Sequence, residues 1–281
     1  MVRIFADSTN DLGPELTARC KTTIIPLYVT IGDRTGRDGV DINPADIFEW
    51  ADRTKDTPKT AAISPDDAMD AIRASVEAGD EILFFGISTE MSTTCNSVRL
   101  AAQALDAEDR VFVVDSRNLS TGIGLIILEA ARMVEEGMKA ADIVKELEEI
   151  IPKVRASFVI DTLVYLARGG RCTATTALLA SALKIKPRID VVDGTMGVGA
   201  KYRGKRQMVF PKYAKELEEK LLKARPDHVF VTHTATDEEA QEIKAYLESL
   251  HYFKEIHVTT AGSVISSHCG PGTLGVLYIE A

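Results

Sequence analysis

The side chains that could do chemistry in this chain sit in short polar blocks: Asp7-Ser8-Thr9, Thr60 in KTAAISP, Ser92 in STEMSTT, Arg171 in ARGGR and His268 in GSVISSHCGPGTLG. The last block, Gly262 to Gly275, sets one histidine among hydroxyls and glycines. Small residues let a ligand approach the backbone closely. Ser266, Ser267, His268 and Thr273 add neutral hydrogen-bonding groups, an inventory that suits a carboxylate better than a metal. Each block also has a plainer reading. Asp7 fits an Asx-turn or helix cap, Thr60 and Ser92 fit caps, Arg171 fits a surface arginine past a helix end, and His268 fits a satisfied buried histidine.

Several kinds of site are excluded by spacing. GPGTLG matches the dinucleotide fingerprint by letter, but the following helix and the acidic residue some twenty positions on have no room before the C-terminus. No P-loop and no GxSxG elbow is present. His228 and His233 stand on a strand-like run and share no helical face for a metal. No metal or cofactor is therefore expected. Ser92 with His268 leaves open one enzymatic alternative, a hydrolase or acyltransferase.

The elements that must position these blocks follow from hydrophobic pattern and punctuation. Val2–Ala6, Ile82–Ile87 and Val111–Asp115 read as buried strands, each followed by a polar turn and then by a helical pattern. Ser64-Pro65 is an N-cap with proline at the first helical position, and Gly79 ends that helix. Further helices are expected up to Glu136 and over Ala140–Ile151. Such alternation predicts a parallel sheet covered on both faces, with ligands at the carboxyl ends of its strands. Beyond Pro152 the pattern changes. Phe158–Ile160 reads as a strand, Ile185–Tyr202 as a hairpin turning at Asp193-Gly194, and His228–Thr232, Ile256–Thr260 and Val276–Ile279 as strands. Helices are expected at about Pro211–Lys223 and Asp237–Leu250. The fold class is thus α/β, with an N-terminal parallel sheet flanked by helices and a C-terminal mixed sheet with helices. The expected domains are 1–153 and 154–281, with the segment 60–79 free to join either.

Composition narrows the class. At 281 residues, with 45% hydrophobic and 27% charged residues, the chain has material for two ordinary globular domains and an internal cavity. A net charge of −9 argues against nucleic-acid backbone binding. A basic cluster (Lys184, Lys186, Arg188, Lys201, Arg203, Lys205, Arg206, with Arg168 and Arg171 upstream) fits either a solvated sheet edge or a docking face for an acidic or phosphate-bearing partner. Cys20, Cys95, Cys172 and Cys269 form no CxxC pair, which fits a reducing cytoplasm. Neither a signal-peptide core nor an apolar run of membrane-spanning length is expected.

The blocks ADSTNDL (Ala6–Leu12), TAAISP (Thr60–Pro65), ISTEMSTTCNSV (Ile87–Val98), VDSRNLSTGIG (Val114–Gly124), IDTLVYLARGGR (Ile160–Arg171), LKIKPRIDVVDG (Leu183–Gly194) and HCGPGTLG (His268–Gly275) together resemble the DegV family of bacterial fatty-acid-binding proteins, in order over essentially the whole chain. The resemblance implies a cytoplasmic carrier, not an enzyme, that sequesters one long-chain fatty acid between two α/β domains. It also implies a partner, an ATP-dependent fatty acid kinase that receives the carboxylate. Thr60, Ser92 and His268 are then the implied carboxylate ligands, with Arg171 and Arg203 near the head group or at the kinase-docking face. The chain departs from the family's usual forms at Ala61, Ala62, Thr94 and Cys95.

Overall fold

The computed structural model describes residues 1–172 and 185–281; Lys184 and the first residues of the LKIKPRIDVVDG block lie outside the described residues. In chain order the first half runs β1 (Val2–Asp7), α1 (Gly13–Arg19), β2 (Thr22–Ile25), β3 (Tyr28–Ile31), β4 (Arg34–Arg37), α2 (Pro44–Thr54), β5 (Lys59–Ala61), α3 (Pro65–Glu77), β6 (Glu81–Gly86), α4 (Thr94–Ala104), β7 (Val111–Asp115), α5 (Thr121–Glu135) and α6 (Ala140–Ile150). The second half continues with β8 (Val154–Val159), α7 (Val164–Gly169), β9 (Ile185–Val192), β10 (Thr195–Arg203), α8 (Arg206–Leu221), β11 (Ala224–Thr234), α9 (Asp237–Ser249), β12 (Glu255–Thr260), α10 (Ser263–Cys269) and β13 (Thr273–Glu280).

The first sheet has the order β2-β1-β6-β7 and is parallel throughout. The central strand β6 is continuously apolar and buried from Ile82 to Gly86 because both faces are covered. On one side Ala68, Ile72 and Val76, spaced four apart on α3, pack with Phe5, Ile82, Phe84 and Val98. The apolar face of α3 thus packs against the first sheet. The helix begins as its punctuation predicts: the Ser64 hydroxyl accepts from Asp67 N at 3.0 Å, and the Asp67 carboxylate accepts back from Ser64 N at 3.3 Å.

The second sheet is mixed, in the order β10-β9-β8-β13-β11-β12, with only the β11–β12 pair parallel. Its hairpin turns at Asp193 (φ 50°) and Gly194 (φ 81°), both left-handed as a type I′ turn requires. Helices α8 and α9 cover one face through Phe210, Tyr213, Ile243 and Leu247. Helix α8 starts at Arg206, ahead of the expected Pro211, which lies within it.

Helix α5 joins the two sheets. It is buried from Thr121 to Ala130 and touches β1 and β6 on one side and β8, β11 and β13 on the other. A helix apolar on every side belongs inside a core. Ile123, Ile126 and Ile127 accordingly share one cluster with Ile4, Leu83 and Phe85 of the first sheet and Phe158, Ile189 and Leu277 of the second. A small antiparallel sheet, β4-β3-β5, flanks this body and was not expected from the sequence. Its strands are short, and only Val29 and Ile31 of β3 alternate inward. No helix among the described residues is long and apolar enough to cross a membrane.

Candidate ligand-binding site

Thr60 stands on β5, held opposite Val29 of β3 in the small sheet. Ser92 lies in the turn from β6 to α4, where Met91 N and Ser92 N both donate to Ser88 O. The Ser88 hydroxyl in turn donates to Gly194 O at 2.8 Å, which ties this turn to the tip of the β9–β10 hairpin. Arg171 follows α7, and His268 occupies the last turn of α10.

The Gly262–Gly275 block is thus in part a short helix. Two carboxylates from the first half hold its start: Gly262 N donates to Asp11 Oδ1 at 2.8 Å, and Ser263 N donates to Asp38 Oδ1 at 2.6 Å. These bonds satisfy backbone donors that a helix start leaves unpaired. The acids sit in a buried frame with Asp7, which accepts from Thr9 N at 2.9 Å and Ile87 N at 2.8 Å. Asp7-Ser8-Thr9 is therefore a structural cap, not a ligand. Burial, with mutual repulsion adding to it, pushes Asp7 up to about 6 and Asp11 up to about 8, and Asp38 is raised by burial.

Thr60, Ser92, Arg171 and His268 all line one narrow cavity of about 50 Å³, whose apolar wall includes Leu27, Ile87, Leu119, Met196 and Ile265. A second cavity, of about 20 Å³, adjoins it and shares Leu119, Ile265 and Cys269 with the first. Arg203 is not among the lining residues; it is exposed at the end of β10. A larger groove of about 490 Å³ runs past Arg3, Arg19 and Lys139 but brings none of these four residues together.

Within the cavity the Thr60 hydroxyl lies 2.8 Å from His268 Nε2. Nδ1 is buried and finds no hydrogen-bond partner among the described residues. It faces Gly169, where a Cβ would approach Nδ1 to 2.3 Å. The first glycine of ARGGR is the space the imidazole fills, and the second, Gly170 (φ 68°), ends α7 in the left-handed conformation. Burial first, and the charge of Arg171 second, push His268 down to about 4, so the ring is neutral at physiological pH.

A neutral ring carries one proton. With that proton on Nε2, His268 donates to Thr60 Oγ1, and Nδ1 is a bare lone pair against Gly169. The Thr60 hydroxyl proton is then free to point at an anion. Ser92 Oγ accepts from Thr94 N at 3.3 Å and lies 3.0 Å from Thr94 Oγ1. Its capping role coexists with its place in the cavity wall. Arg171 donates to Gly169 O at 2.7 Å and, among the described residues, contributes the one cation lining this cavity.

The comparisons with known proteins bear on what fills such a site. A family model described as "Uncharacterised protein, DegV family" matches residues 1–281. The chain belongs to the DegV family. A DegV domain-containing protein of Deinococcus radiodurans is 34% identical over 280 residues, covering 98% of this chain and 97% of its own. One of Clostridium perfringens is 32% identical over 281 residues, covering 99% and 98%. Among solved DegV structures, a fatty-acid-binding family protein of Thermus thermophilus superposes with a TM-score of 0.91 at 29% identity, covering 100% of this chain and 99% of its own. A stearic acid-binding protein from Eubacterium ventriosum gives a TM-score of 0.88 at 29% identity, covering 100% and 98%.

For a DegV chain, this one pairs its candidate residues in an informative way. Ser92 and His268 line the same cavity, yet the hydroxyl of Ser92 is engaged with Thr94 and Nε2 of His268 with Thr60. No Ser–His hydrogen bond forms among the described residues, so the nucleophile–base pair of a hydrolase is not assembled. The basic cluster is partly neutralised: Lys186 pairs with Asp161, Arg188 with Asp190 at 2.8 Å, and Arg206 with Glu239 at 2.6 Å. Sequence reading did not assign Asp11 or Asp38 to the site. Asp11 sits inside the ADSTNDL block, whereas Asp38 carries no local signal at all.

Proposed function

We propose that this protein is a fatty-acid carrier and not itself a catalyst. The carboxylate of one long-chain fatty acid lies against Thr60, Ser92 and His268, with Arg171 near the head group. The acyl chain passes Leu119, Ile265 and Cys269 from this cavity into the adjoining one. A separate ATP-dependent fatty acid kinase, in the cytoplasm, receives the exposed carboxyl end, with Arg171 and Arg203 on the docking side. The domains 1–153 and 154–281 supply the two sides of the site.

The observation that carries this reading is the convergence of hydroxyls, a neutral imidazole and one arginine on a cavity whose remaining wall is largely apolar. A buried chain gains about 0.8 kcal/mol per CH₂, so sixteen carbons supply on the order of 10 kcal/mol before binding costs. Polar groups then need only fix the carboxylate end. Neutral donors do so without burying a full counter-charge. A cavity of about 50 Å³ holds only a few waters. An acyl chain therefore has to move the lining apart, and Met91 and Met196 are unbranched side chains suited to that. The fatty-acid and stearic-acid binding described for the Thermus and Eubacterium proteins supports the same ligand class.

Mass spectrometry of lipid extracted from the purified protein tests the carrier reading. One fatty acid per chain is expected; a stably empty or polar-ligand-filled site sinks it. Kinase presentation is tested separately, with a bacterial fatty acid kinase and ATP. Acyl phosphate should form from the loaded protein and not from the same amount of free fatty acid. Covalent labelling of Ser92 by an activated-serine probe would restore the hydrolase or acyltransferase alternative.

A further inference from the structure

Three metal-ligating side chains converge at the edge of the second sheet, outside the lining of the two cavities: His228 on β11, and Glu255 and His257 on β12. In the parallel β11–β12 register His228 stands opposite Glu255, and Phe230 opposite His257. Side chains two apart share a face, so all four lie on one face of the sheet. His228 Nδ1 is 3.2 Å from His257 Nε2. Glu255 Oε1 is 3.8 Å from His228 Nδ1, and Oε2 is 3.6 Å from His257 Nε2. A tetrahedral ion with bonds of about 2.0–2.2 Å to nitrogen and oxygen sets its donors about 3.3 Å apart. The two nitrogens already match that spacing, and a shift of the Glu255 carboxylate closes the triangle, all three donors lying within 4.8 Å of one another.

We propose that His228 Nδ1, His257 Nε2 and the Glu255 carboxylate form a binding site for one divalent transition-metal ion of the zinc class. Two imidazoles with one carboxylate suit zinc, cobalt or nickel, whereas magnesium and calcium take all-oxygen sites. The ion takes the place of the proton shared between the rings, leaving His228 protonated on Nε2 and His257 on Nδ1. The Phe230 ring stacks on His257 at 4.6 Å and fixes its plane. The Glu255 side chain is 42% exposed against 19% for His228 and 13% for His257, so the remaining coordination positions open to water on the carboxylate side. Arg19 NH1 donates to Glu255 Oε2 at 2.7 Å and is the competing cation. The site is independent of the fatty-acid reading.

Calorimetric titration of untagged protein with Zn²⁺, and absorption spectra with Co²⁺, test it. One ion per chain is expected, with cobalt bands free of thiolate charge transfer. His257→Ala and Glu255→Gln should each weaken binding at least tenfold, and Arg19→Gln should tighten it. Should a variant fail to fold, the imidazole ¹⁵N resonances of the unmutated protein give the same answer, since Zn²⁺ must shift His228 Nδ1 and His257 Nε2. Equal affinity in the parent and His257→Ala, a thiolate band, or unmoved His228 and His257 resonances would each overturn the site.

Discussion

The Thr60 hydroxyl meets His268 Nε2 at 2.8 Å across 208 positions of sequence, and this one bond joins the small antiparallel sheet to the last short helix. It orients both groups in the cavity that Ser92 and Arg171 also line.

Thr60→Val keeps the side-chain shape and removes the hydroxyl. The His268 ring then loses its partner at Nε2 and has none at Nδ1. Leaving a buried polar group unsatisfied costs about 1–3 kcal/mol. A melting temperature lowered accordingly is expected, with release of a fluorescent fatty acid about tenfold faster by stopped flow. Unchanged release would remove Thr60 from the site.

Gly169 and Gly170 should respond differently to alanine. At Gly169 the new Cβ would sit 2.3 Å from His268 Nδ1, so the ring must leave Thr60. Overpacking of this kind costs about 1–3 kcal/mol, and ligand retention should fall with it. At Gly170 nothing among the described residues lies within 4 Å, but φ is +68°. That variant should lose about 1–2 kcal/mol from backbone strain and keep retention nearly intact. Equal retention in the two variants would contradict the packing argument.

His268 governs part of the acid limb of stability. Its folded pKa is near 4 against an ordinary 6.5, so the unfolded chain binds the proton more readily between these values. The contribution is fully present above pH 6.5 and is lost as pH falls toward 4, on the order of 3 kcal/mol in all. Denaturant titrations of His268→Gln should show a shallower decline over that window than the parent. His257, lowered to about 4, acts in the same direction.

Asp11 acts on the opposite limb. Its folded pKa is raised to about 8, so the folded chain holds a proton that the unfolded chain has released above about pH 4. Stability from this group therefore declines as pH rises toward 8. Asn is close in shape to the protonated acid and can still accept from Gly262 N while donating to Ser120. Asp11→Asn should match the parent near pH 5 and exceed it at pH 9; a variant less stable at pH 9 would mean that the ionised form is the one the fold prefers.

The separation of legible from illegible features follows sequence distance. The Ser64 cap with Pro65, and the Asp193-Gly194 turn, act through neighbours a few residues away, and the structure carries both where the sequence puts them. Strands β1, β6 and β7 were readable because a strand covered on both faces is continuously apolar. The small sheet β4-β3-β5 was not, since its short strands lack that run. His228 shows the same limit in another form. Along the chain its neighbouring histidine is His233, but the parallel register places it against Glu255 and His257.

The terminal block shows where the division falls. Residue type alone marked His268, with its hydroxyl and glycine neighbours, as a ligand candidate, because chemistry is a property of side chains. Tertiary structure alone decided that the block becomes helix α10, since Asp11 and Asp38 hold its first backbone donors from more than two hundred residues away. It also decided that His268 is neutral, because burial and the nearby Arg171 charge follow from packing, and that its ring rests between Thr60 and Gly169. Such contacts depend on strand order and crossover, which no local pattern encodes.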